Sequence, residues 1–264
     1  MAVKLYVGDA GGIARQVKKL YVGDASGVAR EVKTLYAGDG GGAARKVFEA
    51  SGSAPAGRLP AGYTEVEYVQ NGTGSTPSLL PYIQMPAKTV ATKFAITFSS
   101  EQSSPANDSI VRGLYGYRTY SSSLYYYGIG LYQGKVCQLS GTAKNSLIAY
   151  SANTIYEIVF DSAAKTMTAN GVVTSKSPGT AWRSNKNRLY GQDGDEGGGY
   201  RAKQTKVYSL KMWDADGNLV LEFVPCIDPS GAIGMYDVVG SVFYGNSNTS
   251  THSANKFIAG PAVS

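Results

Sequence analysis

The sequence is poor in the residues from which catalytic and metal centres are most often assembled. It has one histidine, His252, in the polar run "NSNTSTHSAN", and a single loop histidine supports no Ser/His/Asp or Cys/His arrangement, so nucleophilic hydrolysis is not expected. Its two cysteines, Cys137 and Cys226, lie far apart with no metal-like spacing, which leaves either two unrelated buried thiols or one disulfide. Charged residues make up only 17%, and the excess of +6 is spread out: residues 1–49 hold eight Lys or Arg against five Asp or Glu, and the rest hold seventeen against fourteen. Nucleic-acid binding calls for a clustered basic stripe or an aromatic platform motif, and neither is present. No apolar run approaches the length of a membrane span, and the opening "MAVKLYVGDAGG" carries no apolar h-region, so neither membrane insertion nor a secretory leader is expected.

Glycine (33) and tyrosine (20) are abundant instead, a profile suited to strands and turns. Residues 4–47 repeat one 15-residue unit three times without a gap, aligning Tyr6/Tyr21/Tyr36, Gly8/Gly23/Gly38, Asp9/Asp24/Asp39 and Arg15/Arg30/Arg45. A fixed period means a reused structural unit. The Gly-Asp-x-(Gly/Ser)-Gly core predicts turns near 8–12, 23–27 and 38–42, because glycine reaches positive φ without steric cost. About ten residues separate the turns, enough for one strand each, so the spacing predicts a four-stranded β-meander with a phase slip near Lys18-Lys19. So small a unit buries too little surface to stand alone, which makes residues 1–49 an attachment or oligomerisation module.

Ala, Gly, Ser and Pro dominate residues 50–60, a linker, and a second module fills 61–264. Strand-like runs recur through it, among them "KFAITFS", "SLYYYGIGLYQ", "IYEIVFD", "AKQTKVYSLKMWD" and "LVLEFVP". Phe94, Ile96 and Phe98, and Val207, Leu210 and Met212, are interleaved with polar residues as in half-buried antiparallel strands. "ANG" at 169–171 and "DADGN" at 214–218 read as turns. The expected fold class is all-β: a small N-terminal antiparallel β-meander, then a two-sheet jelly-roll sandwich.

"RLPAGYTEVEYVQ" (58–70), "TIYEIVFDSAAKTMTANG" (154–171), "KVYSLKMWDADGNLVLEFVPCIDPSGAIGMYDVVGSVFYGNS" (206–247) and "FIAGP" (257–261) together resemble the concanavalin A-like (laminin-G-like) jelly-roll domains of bacteriophage and prophage structural proteins. The longest block is the most specific, with its order of strand, Asp-Gly turn, strand, "VPC", "GMYD" and "FYGN". The repeats are similar to those of phage virion proteins, where such a segment precedes a variable display domain. The resemblance implies a virion component, assembled in the host cytoplasm, with an attachment module and an outward lectin-like domain. A tail fibre, receptor-binding protein or head fibre is implied, and a purely structural capsid decoration is the alternative. Its expected partners are other virion proteins through residues 1–49, further copies of itself, and a host cell-surface glycan.

Concanavalin A-like folds host both sugar binders and glucan hydrolases, so the residues must decide. A retaining glycosidase needs two carboxyl groups about 5 to 5.5 Å apart. Glu65 and Glu67 share a strand face at i and i+2, but the Glu-x-Asp-x-x-Glu run that the glucanase version resembles is missing, so no enzyme is expected and no cofactor. Asp193, Asp195 and Glu196 in "GQDGDEGGGY" are weak calcium candidates, without the full acidic spacing of a calcium loop. Tyr115, Tyr117, Tyr120, Tyr125, Tyr126, Tyr127 and Tyr132 crowd one short stretch, and consecutive strand tyrosines point to opposite faces, so some face outward. Exposed rings stack on sugars and their hydroxyls hydrogen-bond. Tyr117, Arg118, Tyr120, Tyr125, Tyr127 and Trp182 are the candidate ligand-binding residues, with Arg183 beside them. Tyr6, Asp9, Arg15, Tyr21, Asp24, Arg30, Tyr36, Asp39 and Arg45 are the candidate attachment residues.

Overall fold

The computed structural model describes the backbone of six strands within residues 6–49, and residues 58–72, 80–86, 93–102, 111–120, 124–174, 187–191, 202–252 and 255–263, without the side chains of 117–120, 124–127 and 141. The chain divides into two compact units at Arg58/Leu59.

The first unit keeps the period found in the sequence but not the single meander. Its strands pair two by two: Tyr6–Gly8 with Ala14–Gln16, Leu20–Gly23 with Ala29–Val32, and Thr34–Gly38 with Ala44–Glu49. Equivalent residues pair in each hairpin, Gly8 with Ala14, Gly23 with Ala29 and Gly38 with Ala44. Among the described residues each hairpin is its own two-stranded sheet. Ala14–Gln16 and Leu20–Gly23, the strands on either side of Lys18-Lys19, have different partners, and the expected phase slip itself lies outside the described residues.

The second unit is a β-sandwich of two antiparallel sheets, with no helix among the described residues. The larger, eleven-stranded sheet runs in the order Val172–Val173, Thr166–Ala169, Tyr156–Asp161, Lys93–Ser100, Thr205–Trp213, Leu219–Ile227, Ile233–Asp237 and Val242–Tyr244. Val69–Asn71 joins it beside the start of Thr205–Trp213 and carries Phe257–Ala259, while Thr64–Glu65 pairs with the end of Leu219–Ile227. The six-stranded sheet runs Ala143–Ala149, Lys135–Gly141, Leu124–Tyr132, Arg112–Tyr120, Arg188–Leu189, Ile83–Gln84.

Alternation decides which side chains meet between the sheets. Phe94, Ile96, Phe98, Ile158, Phe160, Leu210 and Phe223 of the larger sheet are buried against Leu114, Tyr115, Ile129, Leu131 and Leu189 of the smaller. The rings of Phe94 and Tyr115 lie 5.5 Å apart across the interface. Each such side chain contributes about 1.5–3 kcal/mol by leaving water.

Two tight loops of one design connect the strands behind this core. Asp214 Oδ1 accepts the N–H groups of Asp216 and Asn218, and Asp228 Oδ1 accepts those of Ser230 and Ala232. Each loop turns on a left-handed glycine, Gly217 at φ +82° and Gly231 at φ +87°. At the free edge of the smaller sheet, Gln84 N–H donates to Ser247 Oγ (2.9 Å) and Ser247 N–H returns to the Tyr82 carbonyl (2.8 Å). The chain leaving the larger sheet thereby satisfies that edge.

Candidate functional site

The outer face of the larger sheet carries a run of aromatic and charged side chains. It is organised by the strand Thr205–Trp213, which has neighbours on both sides in the sheet. Val207, Leu210 and Met212 turn into the core, which leaves Lys206, Tyr208, Ser209, Lys211 and Trp213 half-buried on the outside. The inward residues step by three before they step by two. The register shift opposite Thr97/Phe98 accounts for this, because Thr97 pairs with Ser209 and Phe98 with Val207, leaving Tyr208 as the extra residue of a bulge.

At one end, Lys206 Nζ lies 2.9 Å from Glu101 Oε1 and 4.9 Å from the centre of the Tyr68 ring. Tyr68 meets Tyr208 edge to face at 5.6 Å, and the Tyr208 hydroxyl is 3.2 Å from Ser99 Oγ. Gly260 permits this placement, since a Cβ there would stand 2.9 Å from the Tyr68 ring. In the middle, Lys211 sits opposite Glu222 with Nζ 2.8 Å from Oε1. At the far end Lys93 faces both Trp213 and Asp161, with Nζ 5.5 Å from the indole centre and 3.3 Å from Oδ2.

The local electrostatics follow from these pairings. The hydrogen bond to Glu101 raises the Lys206 amine above its ordinary value despite partial burial. The Ala164 N–H, with Lys93 adding to it, holds the Asp161 carboxyl below its ordinary value. Each of the three amines thus has a carboxylate oxygen within 3.3 Å, and Glu157, opposite Thr97 in the register, stands exposed on the same face. Chemically it presents hydrogen-bond donors and acceptors side by side, next to aromatic rings.

The residues singled out from sequence are distributed as follows. Tyr117, Arg118 and Tyr120 lie on Arg112–Tyr120, and Tyr125 and Tyr127 on Leu124–Tyr132, where the register sets Tyr117 opposite Tyr127 and Arg118 opposite Tyr126. Tyr115, their neighbour, is core, and its hydroxyl accepts from Asn187 Nδ2 at 2.9 Å. Trp182, Arg183, Asp193, Asp195 and Glu196 lie outside the described residues. Tyr6, Arg15, Tyr21, Arg30, Tyr36 and Arg45 lie on the hairpin strands, whereas Asp9, Asp24 and Asp39 lie outside the described residues. Glu65 is half-buried opposite Cys226, and Glu67 is exposed past the end of that short strand. His252 is exposed in its loop, and both cysteines are buried free thiols. Among the described residues no three His, Cys, Asp or Glu side chains gather as metal ligands do.

Tyr68, Lys206, Tyr208 and Trp213 were not among the sequence candidates. Their signal was the alternation that marked Val207, Leu210 and Met212 as core, since the residues between them must face out. Comparison with protein-family models, with curated proteins and with solved structures gave no match.

Proposed function

We propose that the chain is a non-enzymatic bacteriophage virion protein whose sandwich, a jelly roll of the concanavalin A-like kind, adheres to glycan on the host surface. The observation that carries the adhesion reading is the outer face of the larger sheet, where Tyr68, Tyr208 and Trp213 stand beside three amine–carboxylate pairs. Aromatic rings offer a surface to sugar C–H groups, and the pairs offer hydrogen bonds to hydroxyls. The virion assignment is supported by the resemblance of residues 58–261 and of the repeats. Three equivalent hairpins, each a separate two-stranded sheet, also support an attachment role. Such hairpins are marginal in water and their edges invite a neighbouring strand, from another copy or from another virion protein. Copies held together in this way would let weak sugar contacts add through effective concentration.

The test is binding of the full chain to arrayed bacterial surface polysaccharides. Retention on a subset is the expected result. A flat response across the array would discard adhesion in favour of a particle-stabilising decoration protein.

A further inference from the structure

We propose that the ligand of this face is an extended, electrically neutral polysaccharide lying along the strand Thr205–Trp213. The inference rests on the adhesion reading and adds the charge class and the path of the ligand.

The charge class follows from the pairing. Lys206 is tied to Glu101, Lys211 to Glu222 and Lys93 to Asp161 at 2.9, 2.8 and 3.3 Å. A polyanion would have to compete with these carboxylates for every amine, and a polycation with the amines for every carboxylate. A sugar hydroxyl needs neither exchange, because it donates to a carboxylate and accepts from an ammonium at once. Adjacent hydroxyls on one ring match the adjacent donor and acceptor that each pair presents.

The path follows from the register. Lys206, Tyr208, Lys211 and Trp213 succeed one another on a single strand, and from position 206 to 213 a strand runs about 23 Å. An aromatic ring stands at each end, the Tyr68–Tyr208 pair near Lys206 and Trp213 beside Lys93, with the Lys211–Glu222 pair between them. A compact monosaccharide would reach only one end, whereas a chain of sugars reaches both.

The experiment takes polysaccharide from bacterial envelopes, split by anion exchange into a neutral and an acidic pool, and measures binding of the full chain to each by interferometry. We expect the neutral pool to bind, with affinity changing less than about twofold between roughly 50 and 500 mM salt, since no net charge is there to be screened. Trp213→Ala and Tyr208→Ala should each weaken it by about tenfold. Binding of the neutral pool should change the indole fluorescence of the unaltered chain, and Trp213→Phe, which keeps an aromatic ring on the face, should abolish that change. Binding confined to the acidic pool with steep salt dependence overturns the proposal. Undiminished neutral binding by both alanine variants, or an undiminished indole response in Trp213→Phe, also overturns it while leaving adhesion standing through another surface. Binding of neither pool by the unaltered chain removes the adhesion reading, and this one with it.

Discussion

The hydroxyl of Tyr190 donates a 2.6 Å hydrogen bond to the backbone carbonyl of Val69, joining the smaller sheet to the larger through the core. Tyr190 follows the strand Arg188–Leu189, is wholly buried, and sits at φ +68°, where a bulky side chain is rarely found. Its N–H is held by the Leu114 carbonyl at 2.7 Å and its ring packs 5.2 Å from Phe257. Tyr190→Phe keeps the ring and deletes the oxygen, leaving a buried carbonyl without that donor. The expected cost is about 1–3 kcal/mol, seen as a lower urea midpoint at unchanged slope. An unchanged midpoint would show that the bond contributes nothing net.

Gly128 and Gly116 face each other across the strands Leu124–Tyr132 and Arg112–Tyr120, at φ +140° and +136°. A Cβ on Gly128 would collide with the Tyr115 carbonyl oxygen and stand 2.8 Å from Gly116 Cα, both backbone atoms with nowhere to move. Gly128→Ala should therefore cost about 3 kcal/mol or more. Gly171, at φ +79°, has nothing within 4 Å of such a Cβ, so Gly171→Ala carries only the conformational penalty of about 1–2 kcal/mol. Measured by urea unfolding, the two should differ clearly; equal losses would mean that conformation alone, not contact, fixes the glycine at 128.

Much of the sandwich was legible because burial imposes a period of two. The run "KFAITFS" shows Phe94, Ile96 and Phe98 as core, whereas the three-residue step from Val207 to Leu210, read as plain alternation, is a bulge. Strands escaped notice where that pressure was weak or masked. Ala143–Ala149 is an edge strand that carries the polar Lys144, Asn145 and Ser146 in succession, and Val172–Val173 is too short to alternate. Ile233–Asp237 hides behind Gly234, which reads as a breaker although a Cβ there would come within 2.7 Å of Phe243. The meander failed for a different reason: a 15-residue period specifies what each hairpin is, not which hairpins pair with each other. The outward face was the least legible, since only the register between strands brings Glu101, Glu222 and Asp161 beside their amines.

The two thiols should be chemically silent in the folded chain. Burial pushes Cys137 up to about 11 and Cys226 up to about 12, with the Asp228 carboxylate adding to the latter. At pH 8 a thiol of the first kind is ionised in only about one molecule in a thousand, and both side chains are shielded from reagent. No labelling by a disulfide reagent is expected under native conditions, and two equivalents should react once the chain unfolds in urea. Fast native labelling of either residue would contradict its burial.

Acid should weaken the sandwich through three carboxyls that the fold holds below their ordinary value of 3.8: Asp161 by the Ala164 N–H, Asp214 by the Asn218 side chain, and Asp228 by the Ser230 side chain. Because these groups bind protons less readily folded than unfolded, their contribution is fully present above 3.8 and disappears as pH falls through the lowered folded values. The urea midpoint should be level from neutral pH to about 5 and decline below about 4, and Asp161→Asn should make that decline shallower, by less than about 1 kcal/mol for so exposed an ion pair. Lys206 acts in the opposite sense at the other end of the scale. Glu101 raises its amine, so its contribution is present below the ordinary 10.5 and is lost as pH climbs through the raised value. Glu101→Gln should remove part of the alkaline limb, and an alkaline limb left unaltered would mean that Glu101 does not hold the amine.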